Sequence, residues 1–177
     1  MTEQESQAAL TSLEKGSAEL CASLEGVTEE LAVRLPGAGR WSILQCVEHV
    51  ATVEDFLFSL IQGAQRADAQ AVNTQREALI LARGADRTNK RESPAAALPQ
   101  GRFATLQEAL ETFQTRRART VEFVLTNKED LRAQVAVHPL MGQVNCYEIL
   151  LLAAMHPARH ARQIEEIKAA QAGRTGF

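Results

Sequence analysis

Cysteine is scarce in this chain, which narrows the kinds of site that it can build. The 177 residues include three cysteines, Cys21, Cys46 and Cys146, at spacings that fit neither a disulfide framework nor a CxxC metal site. We therefore expect free, buried thiols in a reducing cytoplasm. Cys46 lies three residues before His49, near enough on a helix to approach the same site, although core packing is the preferred role.

A dominant charge of one sign is also missing. The chain has 19 basic and 22 acidic residues, which gives a net charge of −3. The densest basic run, RRAR at 116–119, is short and lies between Glu111 and Glu122. Because nucleic-acid-binding proteins usually carry a clear basic stripe, we do not expect a nucleic acid as partner.

Long hydrophobic runs do not occur either. The longest, YEILLLAAM at 147–155, contains Glu148 and is far too short to span a bilayer. The first ten residues, MTEQESQAAL, are polar and acidic, unlike a signal peptide. We expect a cytoplasmic protein without a membrane partner, folded as one domain over residues 1–177, a length sufficient to bury its own core.

Helical periodicity is the main positive signal. Leucines recur at helical spacing over residues 3–34, with a break near 25–28 from which Thr28 can cap a short continuation. A second helix starts after Ser42, where Gln45 completes a capping box, and it can run past Gly63 at a modest cost.

Two further helices follow a long connection. Residues 84–104 lack periodicity, and a connection of that length often passes over a functional site. Thr105 caps the third helix, which ends at Asn127, and residues 131–144 read as a short extended or irregular stretch. Asn145 is the expected cap of the last helix, 146–171. Four helices without strand alternation predict an all-α, four-helix bundle.

Three histidines carry the functional signal. His156 and His160 are four residues apart, so on one helix they project from the same face. His49 lies on the second helix, and if the two helices are neighbours the three imidazoles converge and leave metal coordination positions open. The alternative is histidines of the surface or core at chance spacing. Pro157 either breaks this helix or kinks it, and we favour a kink because the periodicity resumes in register.

The remaining candidates have more ordinary interpretations. Gln45 either orients an imidazole, lines the cavity or faces solvent, and His138, just before a proline, is expected to anchor a loop rather than bind metal. Glu48 and Glu54 lie off the His49 face by helical angle, so we expect them on the solvated surface. A further pair, Arg159 and Arg162, is expected on an exposed helix face, although it could reach an anionic substrate.

Two motifs together resemble one family. The first is W-S-I-x-Q-x-x-E-H from Trp41 to His49, and the second is H-P-x-x-G from His138 to Gly142 followed by H-x-x-x-H-x-x-Q-I from His156. The chain resembles the DinB-like (damage-inducible) superfamily. This resemblance implies an up-down-down-up bundle with long crossover connections, and a divalent metal, often nickel or zinc, on His49, His156 and His160. Pro157 departs from the usual charged residue between the last two histidines.

The resemblance also implies a range of functions. Homodimers are frequent in the family, and some relatives are thiol-dependent transferases or isomerases that use bacillithiol, mycothiol or glutathione-like cofactors. Since no residue clearly serves as a general base, we expect a metal-dependent enzyme that transfers a thiol to a small-molecule substrate. The alternatives are a metal-dependent hydrolase and a non-catalytic metal-binding bundle with a structural or stress-related role. Three imidazoles favour nickel, copper or zinc, of which zinc is the most available in cells.

Overall fold

The computed structural model describes residues 1–67, 74–88 and 93–172. Residues 89–92 of the predicted long connection therefore lie outside the described residues. The helices are α1 (Glu3–Ser23), α2 (Glu29–Val33), α3 (Ile43–Gln62), α4 (Thr74–Arg83), α5 (Leu106–Thr126) and α6 (Cys146–Ala172). The strands are β1 (Gln65–Arg66), β2 (Gln134–His138) and β3 (Gly142–Asn145), and a 3₁₀ turn covers Ala95–Ala97.

The predicted helix starts are confirmed by their caps. The Ser42 hydroxyl accepts a hydrogen bond from the Gln45 N–H while the Gln45 side chain accepts one from the Ser42 N–H, which forms a complete capping box. Asn145 and Glu148 form the same reciprocal pair at the start of α6. The hydroxyls of Thr28 and Thr105 cap α2 and α5. These interactions are local, so they follow from the sequence directly.

The four long helices, α1, α3, α5 and α6, form the predicted up-down-down-up bundle. Helices α3 and α5 are parallel, because residue numbers increase in the same direction along their contacts: Ala51 contacts Arg116, and further along Phe58 contacts Phe123. The crossover between them contains β1, α4 and the 3₁₀ turn. This parallel pair explains why the chain needs a long connection between its second and third long helices.

The first and last helices are also parallel. Gly16 of α1 lies against Ala154, and further along both helices the Ser23 carbonyl accepts a hydrogen bond from Lys168. By contrast, α6 runs antiparallel to α3. That arrangement places the middle of α3 against the middle of α6, where the histidines are.

Gly16 is required where α1 and α6 approach most closely. A Cβ at this position would lie 2.1 Å from the backbone oxygen of Ala154, an atom that can move only with its helix. We expect Gly16→Ala to lower the free energy of unfolding by about 2 kcal/mol or more, as overpacking of a tight core does. Gly37→Ala is the control, because the nearest atom to a Cβ there is Cδ of the flexible Arg40 side chain, at 3.8 Å. Urea unfolding of both variants measures the difference, and equal losses would contradict it.

Helix α6 continues through Pro157, so the alternative of a helix break is wrong. His156 and His160 therefore belong to one helix. Because proline has no N–H, the Ala153 carbonyl loses its usual intrahelical partner. That carbonyl instead accepts a hydrogen bond of 2.7 Å from the guanidinium of Arg117 on α5.

The connections between the long helices differ from the sequence prediction. Helix α3 ends at Gln62, since the chain turns at Gly63 to bring β1 alongside β2. Helix α4 was not predicted. Strands β2 and β3 form an antiparallel hairpin in and just beyond the segment predicted to be extended or irregular, and β1 pairs with the other edge of β2. Strands this short give too few residues for alternation to show in the sequence. Among the described helices, none is both long and apolar enough to cross a membrane.

Candidate metal centre

His49, His156 and His160 converge as the sequence predicted. The Nε2 atom of His156 lies 3.2 Å from the Nε2 atoms of both His49 and His160. One ligand atom of each histidine lies within 4.8 Å of the others. The antiparallel packing of α3 on α6 brings the three rings together, because it sets one residue of α3 against two residues one turn apart on α6.

A backbone carbonyl sets the protonation of His49. The Nδ1 atom of this ring lies 2.6 Å from the Ala97 oxygen. Since a carbonyl oxygen can only accept, Nδ1 must carry the hydrogen, and the neutral ring then has its lone pair on Nε2. That lone pair faces the other two imidazoles.

The surroundings keep all three rings neutral. Burial lowers the pKa of His49, and the Ala97 hydrogen bond and the Glu48 carboxylate only partly oppose this. Burial and the neighbouring rings of His160 and His49 hold the pKa of His156 well below its usual range. The pKa of His160 is lowered in the same way, by burial, then by His49 and Arg87. Neutral imidazoles are the form that binds metals.

The triad fits a divalent metal. With zinc–nitrogen distances of about 2.0–2.1 Å, an angle of about 100° at the metal places two nitrogens about 3.2 Å apart. The observed separations of 3.2 Å agree with this. Among the described residues, the ligand group contains three imidazoles and neither a carboxylate nor a thiol. Three protein ligands of this type leave a coordination position open, as in catalytic zinc sites.

Trp41 lies against the triad. Its ring centroid is 4.9 Å from that of His49, and it stacks on His160 at 6.3 Å with an interplanar angle of 16°. It is the single tryptophan of the chain, so its fluorescence reports on this site alone.

The expectation that Glu48 is a solvated surface residue was wrong. Its side chain is 1% exposed and pairs with Arg102. Its carboxylate accepts hydrogen bonds from the backbone N–H groups of Gln100, Gly101 and Arg102. Burial alone would raise the pKa of Glu48, but these hydrogen bonds outweigh it and lower the pKa. Glu48 points away from the His49 face, as its helical angle predicts, but the crossover covers the face of α3 on which it lies.

The same expectation was wrong for Glu54. Its carboxylate is buried and binds the buried guanidinium of Arg117 through two hydrogen bonds of 3.0 and 2.7 Å. The hydroxyl of Thr120 donates a third hydrogen bond, at 2.7 Å. Arg117 also donates to the carbonyls of Leu13 and Ala153, so this one side chain joins all four long helices.

Several other candidates lie outside the triad. The Gln45 side-chain oxygen belongs to the capping box, at 2.9 Å from the Ser42 nitrogen. His138 lies at the end of β2, where Nδ1 accepts a hydrogen bond from the Leu140 N–H, as expected of a loop anchor. Cys46 is buried in the core, and burial raises the pKa of its thiol to about 12, which keeps it protonated.

The arginines of α6 hold the chain that follows α4. Arg159 donates to the carbonyl of Asp86, and Arg162 donates to that of Ala85 at 2.8 Å. Arg162 is exposed, as expected, whereas Arg159 is half-buried. Sequence reasoning missed Arg87, which binds Gln163 and Glu166 in the turn of α6 after His160.

Comparison with known proteins agrees with this architecture. The family model of the DinB superfamily matches residues 12–164, which include all three histidines. The chain belongs to the DinB superfamily. The Bacillus subtilis (strain 168) protein YuaE is 23% identical to this chain over 145 residues, which is 82% of this chain and 88% of YuaE.

Solved structures share the fold. YfiT from Bacillus subtilis, described as a probable metal-dependent hydrolase with an unusual four-helix bundle topology, superposes with a TM-score of 0.59 at 17% identity and covers 97% of this chain and 90% of its own. The four-helix bundle protein TT2238 superposes with a TM-score of 0.59 at 23% identity and covers 91% of this chain and 98% of its own. A conserved protein from Enterococcus faecalis superposes with a TM-score of 0.63 at 18% identity and covers 98% of this chain and 99% of its own. The predicted DinB-like bundle is thus confirmed.

Proposed function

We propose that this DinB protein is a divalent-metal-dependent enzyme that uses His49, His156 and His160 as metal ligands and transfers a low-molecular-weight thiol to an electrophilic small molecule. The observation that carries the metal assignment is the convergence of three neutral imidazoles at 3.2 Å separations, with the His49 lone pair directed inward by Ala97. Zinc or nickel suits such a set of nitrogen ligands.

A bound metal would supply a Lewis acid that lowers the pKa of a coordinating thiol or water molecule. The chain's own residues prepare the site for it. Ala97 keeps His49 in the tautomer that binds metal, and burial keeps His156 and His160 neutral. Trp41 packs against the rings of His49 and His160 on one side of the triad.

The ion pairs of the carboxylates on α3 favour a thiol over water as the nucleophile. The two carboxylates nearest the triad along α3, Glu48 and Glu54, are both bound to arginines. Neither is therefore free to remove a proton from an attacking group. A thiol loses its proton far more readily than water, so it depends less on a base. Hydrolysis is the second candidate, favoured by the description of YfiT as a probable metal-dependent hydrolase.

Product formation with a fluorogenic electrophile tests the proposal. Zinc- or nickel-loaded protein is incubated with monochlorobimane and, in turn, bacillithiol, mycothiol or glutathione. We expect metal-dependent acceleration with at least one thiol, lost in His160→Ala and kept in His138→Ala. Thiol-independent cleavage of nitrophenyl esters without any thiol transfer would favour the hydrolase. If neither reaction is accelerated, the proposal of thiol transfer is contradicted and a non-catalytic metal-binding bundle becomes the better explanation.

A further inference from the structure

We infer that Glu48 is a positioning residue for the metal ligand beside it: it holds the crossover over α3 so that the Ala97 carbonyl fixes the tautomer of His49. We call residues 95–102, the part of the crossover that lies over α3, the strap. The tautomer part of this inference stands on the geometry alone. The effect on metal affinity rests on the proposed function.

Glu48 binds the strap at its C-terminal end. The carboxylate accepts hydrogen bonds from three consecutive backbone N–H groups, at 2.7 Å from Gln100, 3.2 Å from Gly101 and 3.2 Å from Arg102. Gly101 has φ +71°, a conformation that glycine adopts without strain. A buried carboxylate with three donors from one turn fixes that turn in position and orientation.

Arg102 extends this hold to the rest of the strap. Its guanidinium donates to the Glu48 carboxylate at 2.9 Å and folds back to the carbonyls of Leu98, at 3.1 Å, and Ala96, at 3.5 Å. These two carbonyls flank that of Ala97 along the chain. The ion pair therefore organises the 3₁₀ turn from which the Ala97 carbonyl reaches His49.

The His49 ring depends on that carbonyl. A neutral imidazole exists as two tautomers, and the hydrogen bond made by one nitrogen decides which of them is populated. With Ala97 at 2.6 Å, the hydrogen is held on Nδ1. If the strap moves away, the Nε2–H tautomer becomes populated, and its proton occupies the nitrogen that faces the triad. Loss of such partners of a metal-binding histidine typically costs 10- to 100-fold in metal affinity.

A second buried ion pair provides a matched control. Glu148 is 1% exposed and pairs with Arg76, which is 34% exposed, whereas Glu48 is 1% exposed and pairs with Arg102, which is 32% exposed. Glu148 also accepts a hydrogen bond from a backbone N–H, that of Asn145. It lies on the helix of two triad histidines but two turns before the first of them, and its partners Arg76 and Asn145 are outside the strap. A general loss of stability would affect both variants alike.

The test compares Glu48→Gln with Glu148→Gln. Imidazole ¹⁵N spectra of the metal-free proteins report the His49 tautomer, and competition with a chromophoric chelator reports zinc affinity. We expect Glu48→Gln to lose the single Nδ1–H tautomer and to bind zinc about 10- to 100-fold more weakly. Glu148→Gln should keep the tautomer and stay within about threefold of wild-type affinity. An unchanged tautomer in Glu48→Gln, or equal losses in both variants, would overturn the inference.

A second pair of variants leaves every side chain of the network in place. Gly101→Ala strains the strap at its positive φ, and Gly26→Ala introduces the same strain at φ +72°, between α1 and α2. The added Cβ meets nothing within 4 Å at either position. The His49 tautomer should change only in Gly101→Ala, and changes in both or neither would count against the strap. If wild-type protein binds no zinc, the proposed function fails, whereas the tautomer comparisons still decide the role of Glu48.

Discussion

Zinc binding by His156→Ala is expected to be weaker than that of the wild type by roughly 70- to 900-fold. His156 is the central member of the triad, with its Nε2 at 3.2 Å from those of both His49 and His160. Four-ligand zinc sites have apparent binding free energies of about 10–16 kcal/mol, so one ligand corresponds to roughly 2.5–4 kcal/mol, a factor of roughly 70 to 900. Metal analysis of protein purified without a histidine tag, followed by chelator competition, measures the loss.

His138→Ala is the matched control, since His138 is the remaining histidine of the four in the chain and belongs to the β2–β3 hairpin. It should retain wild-type stoichiometry. Nickel should quench the fluorescence of Trp41 in both wild type and His138→Ala, but not in His156→Ala at the same concentration. Zinc at 100 times its Kd should also stabilise the wild type by about 2.7 kcal/mol. Unchanged zinc content in His156→Ala would refute the triad as a metal site.

Arg117→Met is expected to lower the free energy of unfolding by about 3–5 kcal/mol. The substitution leaves the buried Glu54 carboxylate without its cation, which is the costly way to break a buried ion pair. It also removes the hydrogen bonds from Arg117 to the carbonyls of Leu13 and Ala153. Arg119→Met is the control, because its ion pair with Asp55 is exposed and its guanidinium lies over Phe58, for an expected loss below about 1.5 kcal/mol. Urea unfolding at pH 7 compares the two, and similar losses would contradict the assignment.

A double-mutant cycle measures how far the Arg117 hydrogen bond to the Ala153 carbonyl compensates for Pro157. Alanine at position 157 restores the N–H that the Ala153 carbonyl lacks. Pro157→Ala should therefore be more stabilising in the Arg117→Met background than in the wild type, by about 1 kcal/mol, the usual net value of one hydrogen bond. Additive effects would mean that Arg117 does not compensate for the proline.

The sequence alone predicted those features that depend on residues close together along the chain. Helix starts at Ser42, Thr105 and Asn145 depend on side chains that bind backbone groups three residues away. The His156–His160 pair depends on one helical turn, and the motifs around it pointed to His49 as the third member. Strand β1 escaped prediction because it has two residues and pairs with a strand about 70 positions later.

Only the tertiary structure decided which polar groups are buried. Glu48 and Glu54 look like surface residues in the sequence, because a carboxylate is stable in the interior only when cations and donors surround it. Those partners, Arg102 and Arg117, are 54 and 63 residues away along the chain. The sequence determined the bundle and the three histidines through short-range patterns. The tertiary structure determined the His49 tautomer and the support of Pro157, since both depend on hydrogen bonds between distant segments.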